Sequence, residues 1–190
     1  MSTKCGQMHR RLIISSILAV ICSLYIFGAN AEVALDEFHE STAGFSVLLP
    51  VSWTTLRKKD SDSSQYSLIA QRSTDSPDER FRENIFVSIQ RHTALTLEEH
   101  AQANLDAMRR HLGPFEILEQ HDLMIGGVTS KMLLYTFSSD KSVREVLYFG
   151  ITDSTLFVVR GTTIQERAAE YLPLFERIAT SFRINKLRKK

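Results

Sequence analysis

The residues able to do chemistry are few, and their spacing serves no familiar reaction. The six histidines are His9, His39, His92, His100, His111 and His121. They contain no i,i+4 pair and no HExxH, so no helical turn presents two imidazoles to a metal ion. His100 and His111 fall on nearly one helical side, but eleven residues at ~1.5 Å each hold them about 16 Å apart. Both cysteines, Cys5 and Cys22, lie in the first 31 residues, so the remainder carries no thiolate for zinc, a disulfide or nucleophilic attack. There is no GxSxG elbow, and Gly126-Gly127 reads as a tight turn, not a phosphate cradle. The acids Asp60/Asp62 and Asp75/Asp78/Glu79/Glu83 are interleaved with Lys58, Lys59, Arg80 and Arg82, which repel a cation, so they read as solvated loop charge. Glu98 and Glu99 belong to the first turn of a helix. The expectation is therefore no catalytic residue, no cofactor and no metal ligand. A Ser-His-Asp triad assembled across distance is the enzymatic alternative.

The N-terminus carries an address. Lys4, Arg10 and Arg11 precede a 16-residue apolar run, Leu12 to Phe27, and Gly28-Ala29-Asn30-Ala31 follows. A basic start, a short apolar stretch and an A-x-A pair at Ala29 and Ala31 are the parts of a secretory signal peptide cleaved after Ala31. The run is shorter than the ~20 residues of a bilayer span. The alternative is an uncleaved inner-membrane anchor over residues 12–27. Lipid attachment at Cys22 is disfavoured by Ile21, where a small residue is wanted. The whole chain has 190 residues, 43% hydrophobic and 24% charged, with a formal net charge of +1. Those values exclude disordered and multispan classes and give no reason for nucleic-acid binding. Taking Lys4, Arg10 and Arg11 from the 23 basic residues, and no acid from the 22, leaves 20 against 22 over residues 32–190. That stretch is mildly acidic and long enough to build a core without disulfides.

Periodicity places the elements. Phe45, Val47 and Leu49 alternate up to Pro50 as a strand, with Ser41–Gly44 as a hairpin turn after Phe38. Arg57 to Gln65 reads as a polar loop, Tyr66 to Gln71 as a strand, and Ser73 to Glu83 as an exposed connection. Ile85, Val87 and Ile89 mark the next strand. Thr96 and Glu99 form a capping box that opens a helix with Leu97, Ala101, Leu105, Met108 and Leu112 on one face, closed by Gly113-Pro114. Strands are expected over 115–125, 129–137, 143–152 and 156–160, with turns at Gly126-Gly127 and Asp153-Ser154. These gaps are too short for crossover helices, so the strands pair antiparallel. A second capping box, Thr163 with Glu166, opens the last helix, whose expected apolar face is Ala168, Leu172, Phe175, Ala179 and Phe182. Pro173 should kink it or begin a separate helix. Trp53 and Phe45 read as core. The fold class is α+β: a mostly antiparallel sheet packed with a mid-chain helix and a C-terminal helix.

The opening Gly44-Phe45-Ser46-Val47-Leu48-Leu49-Pro50-Val51-Ser52-Trp53 and the closing Ser181-Phe182 resemble the PsbP-like superfamily. The likeness runs from about Phe38 to Arg183 and, given the signal segment, is greatest to the exported bacterial DcrB-like branch. The resemblance implies an α-β-α sandwich, with a central antiparallel sheet between helices. It implies accessory and binding roles, and no catalytic residues to carry over. The expected organisation is a cleaved signal peptide at 1–31, one domain at 32–183 and a basic tail at 184–190.

The function expected is that of an exported, periplasmic, non-enzymatic accessory protein of the bacterial cell envelope, acting through contacts with an envelope protein. The alternative is a domain that binds a small ligand or envelope lipid between sheet and helix. The tail reads as a solvated terminus, or as a weak membrane-surface contact through Lys186, Arg188, Lys189 and Lys190. Intact mass and fractionation of natively expressed protein test the address. A mass starting at Glu32 in the soluble periplasmic fraction is the expected result, and a full-length chain in the membrane fraction contradicts cleavage.

Overall fold

The structure, a computed structural model, describes residues 32–59, 65–74, 76, 79–91, 93–138 and 141–185. Ala29, Ala31, the 12–27 run, both cysteines, Asp60, Asp62, Asp75, Asp78, His92, Lys186, Arg188, Lys189 and Lys190 lie outside the described residues.

Among the described residues, ten strands and two α-helices follow one another in the order β1 (Leu35–Glu40), β2 (Phe45–Pro50), β3 (Thr54–Lys59), β4 (Gln65–Gln71), β5 (Asn84–Arg91), α1 (Leu97–His111), β6 (Phe115–Ile125), β7 (Val128–Ser138), β8 (Ser142–Thr152), β9 (Thr155–Ile164), α2 (Ala168–Ser181) and β10 (Arg183–Ile184). Strands β3-β4-β5-β9-β8-β7-β6 form a seven-stranded sheet, and β1-β2-β10 a small second sheet. Every pairing is antiparallel. The turns between β6 and β7 and between β8 and β9 have two residues each. Gly126-Gly127 and Asp153-Ser154 all adopt positive φ, the twist that suits tight hairpins. The mostly antiparallel sheet with a mid-chain and a C-terminal helix packed on it is the fold class expected above.

Each face of the large sheet has its own cover. Leu133, Tyr135, Leu147, Phe149 and Leu156 pack with Ala101 and Met108 of α1. On the opposite face Leu68, Val87, Val146, Tyr148, Phe157 and Val159 pack with Leu174, Phe175 and Ile178 of α2 and with Phe45 and Val47 of the small sheet. The motif residues from the two ends of the chain meet there. Phe182 stacks on Phe157 at 4.7 Å and on Phe45 at 5.6 Å, while the Ser181 hydroxyl accepts the Leu48 amide at 2.9 Å. Gly161 lets α2 settle onto β9, since a Cβ there would stand 2.3 Å from the Phe175 ring. The capping box of α1 forms as expected, with the Thr96 hydroxyl accepting from the Glu99 amide and Glu99 accepting from the Thr96 amide. Asn185 still bonds Gly44, so the ordered fold continues just past Arg183.

Five expectations need correction. Residues Arg57 to Lys59 are not loop but the end of β3, which among the described residues is an outer strand paired with β4 alone, where the Arg57 and Lys58 side chains meet solvent at no cost. Thr163 caps nothing: β9 runs on through Ile164, the residue is fully buried, and its hydroxyl points to Glu83. A 3-10 turn at Gln165–Arg167 precedes α2, which has no side-chain cap. The buried face of α2 is Tyr171, Leu174, Phe175, Ile178 and Ala179, a rotation away from the expected Ala168 and Leu172. Of the two outcomes expected at Pro173, the separate helix does not form: the residue sits inside α2 without ending it, because the packing on both sides of it outweighs one missing backbone bond.

The fifth correction concerns the 73–83 connection, which is not simply exposed. Glu83 is fully buried and Arg72 is 8% exposed. Arg72 Nε donates to Glu83 Oε2 at 2.7 Å, Arg167 Nη1 to Glu83 Oε2 at 3.0 Å and to Glu79 Oε1 at 3.1 Å, and Arg72 also bonds Glu79. Burial works against the Arg72 charge, but hydrogen bonds and attraction to Glu83, then Glu79, hold its pKa above the ordinary value. Two arginines and two carboxylates thus balance under the start of α2. Removing one member strands a buried charge, so Glu83→Ala should cost about 3–5 kcal/mol of unfolding free energy. Urea denaturation checks this, and an unchanged midpoint would show that the cluster stabilises nothing.

Candidate functional site

The path of the chain leaves part of the sheet bare. β5 lies beside β9, whereas β6 is the far outer strand, so α1 must cross β9, β8 and β7 to connect them. The helix covers what it crosses and leaves the same face of β3, β4 and β5 open. Register then aligns one row over that face: Leu56 opposite Ile69, Ile69 opposite Phe86, and Phe86 opposite Arg160. Leu56 is 63% exposed and Ile69 39%. Alternation sets Thr54, Lys58, Ser67, Gln71, Asn84 and Ser88 around them, an apolar centre with a polar and cationic rim.

Arg160 joins this face to a groove beside α1. Its guanidinium lies 5.1 Å from the Phe86 ring centroid, and its Nε is buried with no hydrogen-bond partner among the described residues. The groove has a volume of about 230 Å³ between Asn104, Met108 and His111 of α1 and Leu147, Tyr135 and Glu145 of the sheet. Tyr135, Glu145 and Thr162 stand directly opposite one another across β7, β8 and β9. The Tyr135 hydroxyl donates to Glu145 Oε2, and the Thr162 hydroxyl to Oε1 at 3.0 Å. Burial, then the Glu145 charge and hydrogen bond, push the Tyr135 phenol far above its usual range, against the opposing pull of Arg160. Both Glu145 oxygens accept a hydrogen bond, so this carboxylate ties β7, β8 and β9 together beneath the groove.

The sequence-derived candidates disperse. His39, His111 and His121 are exposed. His100 is half-buried with Nε2 at 2.7 Å from the Thr93 hydroxyl; burial lowers its pKa while Glu99 raises it. His121 Nδ1 lies 3.1 Å from Glu119. No group of three or more potential metal ligands occurs among the described residues. Glu98 pairs with Lys131 at 2.7 Å, and Trp53 is buried against Tyr171 with ring centroids 6.4 Å apart. The groups that the structure does assemble were missed. One signal was available: Glu145 shares its strand parity with Val143, Leu147 and Phe149, so a charge stands where a core residue belongs.

A second concavity, about 220 Å³, lies on the other face between α2 and strands β6, β7 and β8. No helix among the described residues is long and apolar enough to cross a membrane.

Neither protein-family models nor curated proteins match the chain. Solved structures share the fold. Cyanobacterial PsbP (CyanoP) from Synechocystis sp. PCC 6803 aligns with a TM-score of 0.59 at 16% identity, over 80% of this chain and 93% of that one. PA94 from Pseudomonas aeruginosa, of unknown function, aligns at 0.53 and 12% identity, over 77% and 94%. LpqN of Mycobacterium tuberculosis, involved in cell envelope biogenesis, aligns at 0.52 and 13% identity, over 80% and 91%. The chain is thus structurally similar to proteins of the PsbP-like fold, as the residues at its two ends suggested. At such identities the likeness shows the fold alone.

Proposed function

We propose that the chain is an exported, non-enzymatic accessory protein of the bacterial cell envelope, of the DcrB-like kind, that binds another protein through the bare face of β3, β4 and β5. The observation that carries this reading is the row Leu56, Ile69, Phe86 and Arg160, left open by α1 and ringed by hydroxyls, amides and Lys58. An apolar centre within a polar rim is the anatomy of a protein contact surface. None of Thr54, Lys58, Ser67, Gln71, Asn84 and Ser88 is acidic, and Lys58 and Arg160 are cationic, so the matching partner presents apolar side chains bordered by carboxylates. The basic start, apolar run and A-x-A of residues 1–31 support export to the periplasm. LpqN, which shares the fold, is involved in cell envelope biogenesis, and that supports an envelope role. Lys186, Arg188, Lys189 and Lys190 add a weak attraction to anionic lipid, about 1 kcal/mol each near the surface.

The small-ligand reading has one feature in its favour, the concavity against α2. Its volume of about 220 Å³ falls below the ~300–1,000 Å³ of ordinary small-molecule sites.

Capture from an envelope extract tests the open face. The tagged protein should recover a partner reproducibly over a matched control, and the variant Leu56→Ser with Ile69→Ser should lose it. The double variant should keep its unfolding free energy to within about 1 kcal/mol, both side chains being exposed. No reproducible partner, or the same partner held by the variant, would overturn the reading.

A further inference from the structure

We propose that the cleft between α2 and β6–β8 receives the side chain of a lysine carried by a partner protein. This rests on the reading of the chain as a protein-binding module, but uses the opposite face of the sheet. Met132, Leu134 and Val146 form the floor and Leu172 of α2 one wall, an apolar channel suited to methylenes. Glu119 of β6 and Glu176 of α2 also line it, one from each side. Tyr148 lines the cleft as well and is 4% exposed, and its hydroxyl has no hydrogen-bond partner among the described residues. By contrast, the buried Tyr66 and Tyr135 hydroxyls both donate to carboxylates.

The charges around this hydroxyl all have one sign. Burial, then Glu176 and Glu119, hold the Tyr148 phenol above its ordinary pKa, with no cation opposing them. Arg57 accompanies Tyr66, Arg160 accompanies Tyr135, and Arg72 with Arg167 accompany Tyr171. Glu176 makes no ion pair among the described residues, and the ionic contact of Glu119 is with His121. Two carboxylates thus border the Tyr148 hydroxyl in the cleft. A cation with three donors and a slender apolar stem matches that set. Lysine supplies three N–H donors on a compact head, whereas arginine brings a planar fork of five. The volume, about 220 Å³, suits one inserted side chain as an interface anchor.

The test follows the methyl signals of the protein labelled at methionine, at pH 7.5, with Met108 and Met124 as internal controls. The probe is Nα-acetyl-lysine N-methylamide. The expected result is a saturable shift at Met132, absent with the norleucine and Nε-acetyl-lysine counterparts. Glu119→Gln with Glu176→Gln should weaken the response roughly tenfold or more, and Tyr148→Phe should weaken it while leaving the spectrum otherwise intact. Overturning results are no saturable shift, an equal response to norleucine, indifference to the charge-removing variant, or tighter binding of the arginine counterpart. Pentylammonium binding more tightly than the lysine probe would assign the cleft to a free amine and also overturn the proposal. A Met132 response alongside failure of the Leu56/Ile69 test would remove the open face and keep the cleft; the reverse would remove only the cleft.

Discussion

A carboxylate with no access to water, Glu83, sits where three parts of the chain converge. It is tolerable there only because Arg72 and Arg167 supply charged donors and Glu79 shares them. The Arg72 amide also bonds the Glu83 carbonyl at 2.9 Å, which carries the β4–β5 pairing one step beyond Gln71 and Asn84. Arg167 is the residue just before α2, so the same cluster sets where that helix begins. From that starting point Phe175 lies over Gly161, Ile178 and Ala179 are buried, and Ser181 and Phe182 reach β2. The seat of α2, and with it the wall of the cleft that Leu172 and Glu176 provide, depends on this balance of charge.

The other helix is governed by connectivity. α1 links an inner strand to the far outer strand, so its course over the sheet is dictated and cannot extend to β3, β4 and β5. Burial records this directly. β8 is buried at nearly every position from Val143 to Gly150, as a strand covered on both faces must be. β4 and β5 alternate, with Tyr66, Leu68, Ala70, Ile85, Val87 and Ile89 inward and Ile69 and Phe86 turned the other way. An apolar side chain turned toward solvent at the centre of a row, three strands wide, is the mark of an uncovered face.

Most of the fold was legible because it is locally encoded. Two-residue turns, alternating strands and the Thr96 capping box each require only neighbours in sequence. The same S/T-x-x-E pattern failed at Thr163 and Glu166, and the comparison of the two is instructive. Thr96 is exposed and free to turn back on its helix, whereas Thr163 is fully buried in a strand, with its hydroxyl facing Glu83 eighty residues away. β3 went unread for the opposite reason: Arg57, Lys58 and Lys59 look like loop, and only an outer strand can carry them. The candidate sites were least legible, since Tyr135–Glu145–Thr162 and Leu56–Ile69–Phe86–Arg160 exist only once strand order and register are known. Of these, Glu145 alone announced itself, as an acid in a run of core residues.

The two candidate contact regions lie on opposite faces of one sheet and rest on different physics, an apolar row with cations at its edge and an anionic cleft with a phenol hydroxyl in its lining. The open row is central to the account, because it follows from the topology itself. Site-specific photocrosslinking in the native cell tests it most directly, with a benzophenone side chain placed at position 56 or 69, and at Gln102, exposed on α1, as control. The account predicts one discrete crosslinked protein shared by positions 56 and 69 and absent from 102. No crosslink from the row, or the same product from all three positions, would contradict it.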